Sequence, residues 1–264
     1  MNSLWAQQDC RVGQIFSCAV AQLRLWFMRN SQGWQVASRH ETDAVFEPLH
    51  EIASADETIE WRRFVTPQTA SVMHLIPVLP DRPVMSRPEA RIEIAPHHKG
   101  HFFVTIPVWM RLQITSTGTQ HPMILCEYPT RVLSKTWFGH PAEEGEIGYA
   151  LATRARQSLE ELTDVDGRAI CPVVVDNGTH EPLVFAQLQL SAQHMSVYQT
   201  DDGKFWTNEC RLVYTGSVFT AAVTFGHTAP EQAQGARLVS GPRAVPTTGL
   251  TARAIVGAIF RQPY

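Results

Sequence analysis

The sequence predicts an all-β fold: an antiparallel β-sandwich of many short strands, with a short C-terminal helix. Two observations carry this. Val, Ile and Thr make up 58 of the 264 residues, and β-branched side chains favour the pleated strand. Short alternating runs are also separated by Gly, Pro, Asn and Asp clusters at roughly the 8–12-residue spacing of sandwiches and barrels. The apolar share of 44% allows a sizeable core, and the charged share of 18% is too low for a disordered chain or a coiled coil.

The elements follow in chain order. Gln14 to Met28 reads as a long strand, Asn30-Ser31-Gln32-Gly33 as a four-residue loop, and Trp34 to Ser38 as the returning strand of a hairpin. Residues 40–60 carry seven acidic side chains and read as a loop or short helix, flanking a strand through Trp61 to Phe64. Ser71 to Leu79 is an apolar run. Pro80, Pro83 and Pro88 make the next segment an extended connection. Arg91 to Ile94 alternates. Phe102 to Thr117 reads as a second long strand, with Pro107 at an edge or bulge because it cannot donate to a ladder. Met123 to Glu127 and Arg131 to Trp137 are short strands. Residues 146–156 are ambiguous between helix and strand, and Ser158 to Leu162 reads as one helical turn or a linker.

Farther on the pattern sharpens. Ala169 to Val175 is an apolar strand, and Asp176-Asn177-Gly178-Thr179 predicts a type I′ hairpin turn with Pro182 to Ser191 returning. His194 to Gln199, Phe205-Trp206, Arg211 to Tyr214 and Val218 to Phe225 continue as a meander. Ala229 to Thr248 reads as an extended tail, and Leu250, Ala254, Ile255, Ala258 and Ile259 recur at helical spacing. The whole reads as a single β-rich domain over 1–264, with an N-terminal hairpin region at 10–66, a sandwich core at 67–225 and an extended tail with the helix at 226–264.

Several function classes fall away. The net charge of −3 gives no basic field for nucleic acid. No run of about 18 apolar residues predicts membrane insertion. Nineteen of the 22 basic residues are Arg, read as base composition rather than as function. Five cysteines, an odd number with no C-x-x-C, argue against a disulfide framework or zinc ribbon, and the N-terminal residues show no signal peptide. The cytoplasm is the expected compartment. Nucleotide-binding glycine motifs and the G-x-S-x-G elbow do not occur.

The remaining chemical signals each have a plain alternative. His97-His98-Lys99-Gly100-His101 places three histidines close together, but Gly100 and the flanking strands make it a polar loop sooner than a metal site. The loop Asp176 to Glu181 has the residue types of a ligand or metal site, against the reading that Gly178 serves its backbone alone. Trp137-Phe138 and Phe205-Trp206 suit sugar stacking or the plugging of core ends. Glu143-Glu144, Glu160-Glu161 and Asp201-Asp202 have the residue types of paired catalytic carboxyls, but adjacent turn acids are commonly solvated. No catalytic, cofactor-binding or metal-binding residue is assigned.

Longer segments in order carry a resemblance. GEIGYALATRARQSLEEL (145–162), RAICPVVVDNGTHEPLVFAQLQL (168–190), HMSVY (194–198) and KFWTNECRLVYTG (204–216) resemble the prokaryotic family designated domain of unknown function 432. LRLWFMRNSQGWQVA (23–37) and PDRPVMSRP (80–88) are similar to its early segments, so the likeness spans roughly residues 10–245. These are strand-order patterns, not chemical signatures. The resemblance implies a β-rich soluble domain and supplies no catalytic residues or cofactor. The expectation is a non-enzymatic cytoplasmic module that binds a protein partner or ligand. The alternatives are a carbohydrate- or small-molecule-binding sandwich and an unrecognised metalloenzyme or hydrolase.

Overall fold

In the computed structural model, the described residues are 5, 7–86, 88, 92–116, 121–138, 146–151, 155–163, 165–185, 188–216, 221–245 and 251–252. They form β1 (Gln7–Asp9), β2 (Ile15–Asn30), β3 (Gly33–Ile52), β4 (Arg62–Val65), β5 (Ala70–Val78), β6 (Val84–Ser86), β7 (Ile92–Ile94), β8 (Lys99–Pro107), β9 (Trp109–Ser116), β10 (Met123–Pro129) and β11 (Ser134–Phe138). There follow β12 (Glu146–Leu151), β13 (Arg168–Asn177), β14 (Leu183–Phe185), β15 (Leu188–Leu190), β16 (Val197–Gln199), β17 (Phe205–Thr207), β18 (Cys210–Tyr214), β19 (Ala221–Phe225), β20 (Arg237–Ser240) and β21 (Thr251–Ala252). Single 3-10 turns at Leu159–Glu161, Ala192–His194 and Glu231–Ala233 are the only described helical elements, so the fold is all-β. No helix among the described residues is long and apolar enough to cross a membrane.

The chain divides into two compact units: Met1–Val78 with Pro107–Val132, and Leu79–Ile106 with Leu133–Tyr264. The first contains two sheets, β2-β3-β4 and β1-β5-β9-β10. One core joins them, drawing Phe16, Leu23, Leu25 and Phe27 from β2, Trp34 from β3, Met73 and Leu75 from β5, and Met110, Leu112 and Ile114 from β9. The inward residues of β9 are every second one, as a strand requires. In β2 the inward set changes parity. Phe16, Cys18 and Val20 face the core before a register shift between Ala21 and Leu23, and Leu23, Leu25 and Phe27 face it afterwards. Ala21 sits at φ 52°, and the bulge re-aims the strand so that both halves bury apolar side chains.

The hairpin turn is tighter than its sequence suggests. Asn30 pairs with Gly33, leaving Ser31 and Gln32 as a two-residue loop. Gly33 has φ 148°, and a Cβ there would lie 2.0 Å from the Phe64 carbonyl oxygen, so any side chain would break the β3–β4 pairing. The expected loop or helix at 40–60 is overturned over its first half. The ladder continues from Leu23↔His40 to Ile15↔Ile52, with Asp43 and Glu51 exposed on it and Glu41 and Glu47 half-buried. Arg24 pairs with both Glu41 and Glu47. The backbone ladder and the buried partner strand override local polarity here. The expected single strand from Phe102 to Thr117 is two strands, β8 and β9. They part at Val108, directly after the donor-less Pro107.

The second unit contains a four-stranded sheet, β11-β12-β6-β15, and an eight-stranded sheet, β20-β16-β17-β13-β18-β19-β21 with β8 also on β13. A small sheet pairs β7 with β14. Most pairings are antiparallel, but β12–β6, β13–β17 and β13–β18 are parallel. The proline-rich connection at 80–88 therefore holds a strand, β6, whose three residues are buried between two neighbours. The strand expected over Pro182 to Ser191 is β14 and β15, which belong to different sheets. The tail expected at 229–248 supplies Ala233 to a core with Ile170, Tyr198 and Trp206. It also supplies β20, which pairs with β16. Of the predicted C-terminal helix, residues 250 and 253–259 lie outside the described residues, while Thr251 and Ala252 pair as a strand with β19.

Candidate functional site

The two loops singled out from the sequence are brought together. β7 leads into a turn at 95–98, closed by the His98 N–H donating to the Ala95 carbonyl at 3.2 Å, and β8 leads out. β13 ends at Asn177 and a short loop leads to β14. Because β7 pairs with β14 and β8 with β13, the two loops lie at the same end of neighbouring strands.

Asn177 joins them. It is fully buried, and its Nδ2 donates to the carbonyls of Ile94 at 3.0 Å, Ala95 at 3.1 Å and Glu181 at 2.8 Å. Its Oδ1 accepts from the Thr179 N–H at 3.1 Å and from Thr179 Oγ1 at 2.7 Å. The Asn177 N–H donates to the His98 carbonyl at 3.0 Å. The donor end of one buried amide thus reaches both loops, and its acceptor end is satisfied by Thr179 of its own loop, as burial of a polar group demands.

This arrangement overturns the type I′ hairpin. β13 and β14 do not pair with each other, and neither Asn177 nor Gly178 has positive φ. The Asn177 side chain, not the backbone, makes the turn, in the manner of an Asx-turn. Gly178 still serves its backbone: its N–H donates to the Tyr214 carbonyl at 2.9 Å, and a Cβ would lie 3.1 Å from that oxygen.

On this frame His97 Nε2 stands 3.0 Å from His180 Nδ1, with ring centroids 4.5 Å apart and planes at 82°. Both side chains are exposed. His97 has φ 56°, a left-handed conformation uncommon outside glycine. His98 turns away to the Pro96 carbonyl at 2.8 Å, and His101 lies exposed on β8. Lys99 pairs with Asp176 at 3.4 Å. Among the described residues, no group of three or more His, Cys, Asp or Glu is placed to hold a metal ion. The spacing of the histidine cluster flagged His97, but its partner lies 83 residues away and no local pattern reports it.

The aromatic signals separate. Phe205 and Trp206 are buried, Trp206 in the core with Ile170 and Tyr198. Trp137 is 57% exposed and stands directly opposite Ile147, itself 42% exposed, across the β11–β12 ladder. Among the described residues β11 pairs only with β12. Glu143-Glu144 lies outside the described residues, and the other acid pairs are exposed in turns. Hydrogen bonds from Lys204 and Thr200 hold the Asp202 carboxyl down at about 2. All five cysteines are buried free thiols. Burial pushes Cys10, Cys126 and Cys171 up to about 12 and raises Cys18 and Cys210 as well, which leaves them protonated and poor nucleophiles.

No curated protein and no solved structure matches the chain. The model of one family, described as protein of unknown function (DUF432), matches residues 4–258, and the chain belongs to that family.

Proposed function

We propose that this protein is a non-enzymatic module of the cytoplasm that docks an extended segment of a protein partner along β11. The observation that carries the reading is the Trp137–Ile147 pair, exposed on an edge strand. An edge strand presents unpaired backbone N–H and C=O groups to an incoming strand. An exposed Trp beside them is the side chain most often found at the centre of binding energy. Five buried free thiols suit a reducing compartment.

The test is capture from native lysate on immobilised wild-type protein and on the double variant Trp137→Ser, Ile147→Ser, read by quantitative mass spectrometry. A partner held by the wild type should fall by about tenfold or more on the variant, the scale of losing a central aromatic contact. Equal recovery on both proteins contradicts the reading. Glycan binding that depends on Trp137 would replace it with the carbohydrate alternative, and self-association abolished by the same changes would assign the edge to a second copy of this chain.

A further inference from the structure

We propose that His97 and His180 form a binding site for a divalent transition-metal ion, with the two imidazoles as its protein ligands and water completing the coordination. The site is separate from the β11 edge and does not depend on it. Three features converge on it. The first is spacing. Metal–imidazole bonds of about 2.0–2.1 Å at angles between tetrahedral and octahedral place two ligand nitrogens roughly 2.9–3.4 Å apart. His97 Nε2 and His180 Nδ1 are 3.0 Å apart, within the separation that two ligands of one ion require.

The second is preorganisation. The loop of each histidine is fixed by the same buried amide, that of Asn177, so the donors are held before any ligand arrives. The third is the backbone of His97, held at φ 56°. Such conformations persist only where the surroundings over-determine them, and they concentrate at functional positions.

The chemistry balances without an external reagent. In the neutral pair, one N–H lies between the two inner nitrogens. Its transfer to the outer nitrogen of the same ring leaves both inner lone pairs free, and no proton is lost. Of the charges flanking the two histidines in sequence, the cation Lys99 is paired with Asp176 at 3.4 Å, and Glu181, next to His180, is an exposed anion. Imidazole selects copper, nickel and zinc over magnesium and calcium, which prefer oxygen ligands.

The test is isothermal titration of the full chain with ZnCl2 and, separately, MgCl2. The expected result is one Zn2+ per chain and no Mg2+. His97→Gln and His180→Gln should each weaken Zn2+ binding by about tenfold or more, as loss of one of two ligands requires, while His98→Gln and His101→Gln leave it unchanged. Circular dichroism of each variant establishes that it is folded, and both test positions are exposed. Absence of binding at millimolar Zn2+, or binding that survives both His97→Gln and His180→Gln, overturns the proposal. Loss on His98→Gln with His180→Gln unaffected also overturns it.

Discussion

In the first unit, two sheets meet across one apolar core; in the second, buried side-chain amides tie loops and strand ends together. β2 and β3 run for 16 and 20 residues, and the core that β2 helps build contains apolar side chains from both sheets. In the second unit, Asn177 binds two loops, and Asn208 accepts from the Ser196 N–H at 2.7 Å while donating to the Gly226 carbonyl. Among the described residues, the buried asparagines, Asn177 and Asn208, and the buried Gln189 all belong to this unit. Burial of apolar area is non-directional and tolerates a range of side chains, whereas a buried amide fixes which loops meet and where. The histidine pair stands on the part of the molecule organised in the second way.

The difference is open to direct attack by mutation. The largest loss is expected in the first unit: Phe27→Ala, at a fully buried ring, should lower unfolding free energy by about 3–5 kcal/mol in urea denaturation. Asn177→Ala should approach it, at about 2–3 kcal/mol, because the buried amide's bonds to the Ile94, Ala95 and Glu181 carbonyls and from the Thr179 N–H are lost together, although the Ala95 and Glu181 carbonyls still accept from the His98 N–H and Thr179 Oγ1. If Asn177→Ala melts like the wild type, the contrast between the units fails. Gly178→Val should cost less, about 1–2 kcal/mol, through overpacking against the Tyr214 carbonyl and not through backbone strain.

The smallest effect concerns pH. The Asp202 carboxyl is lowered from 3.8 to about 2 by Lys204 and Thr200. A depressed carboxyl contributes stability above its unfolded value, and that contribution disappears as pH falls through the folded value. The window is therefore between 3.8 and about 2. The turn is exposed and screened, so Asp202→Asn should change stability at neutral pH by less than about 0.5 kcal/mol, with the difference from wild type vanishing at the acid end of an unfolding series.

What could be read from the residues follows the same division. The β2 strand, the alternation at Trp34 and the apolar β13 run were legible because periodicity reports burial on one or both faces. Residues 40–52 were not. Their acidic side chains either face solvent, as Asp43 and Glu51 do, or pair with Arg24 of β2, as Glu41 and Glu47 do, while their conformation is imposed by that backbone partner. The segment 182–191 alternates as one strand yet serves two sheets, a choice made by distant partners. Asn177-Gly178 has the letters of a hairpin turn, but burial recruits the asparagine side chain as a clamp. The histidine cluster was visible; its pairing with His180 was not, since it depends on β7 meeting β14 and β8 meeting β13.

One buried amide, that of Asn177, bonds to both histidine-bearing loops. Hydrogen–deuterium exchange on the wild type and Asn177→Ala, followed in peptides covering 92–101 and 176–185, tests it most directly. The His98 N–H, bonded to Ala95, and the Asn177 N–H, bonded to His98, report on the first loop and on the junction between the two. Both peptides should lose protection together in the variant. Loss confined to 176–185, with 92–101 exchanging as in the wild type, would contradict it.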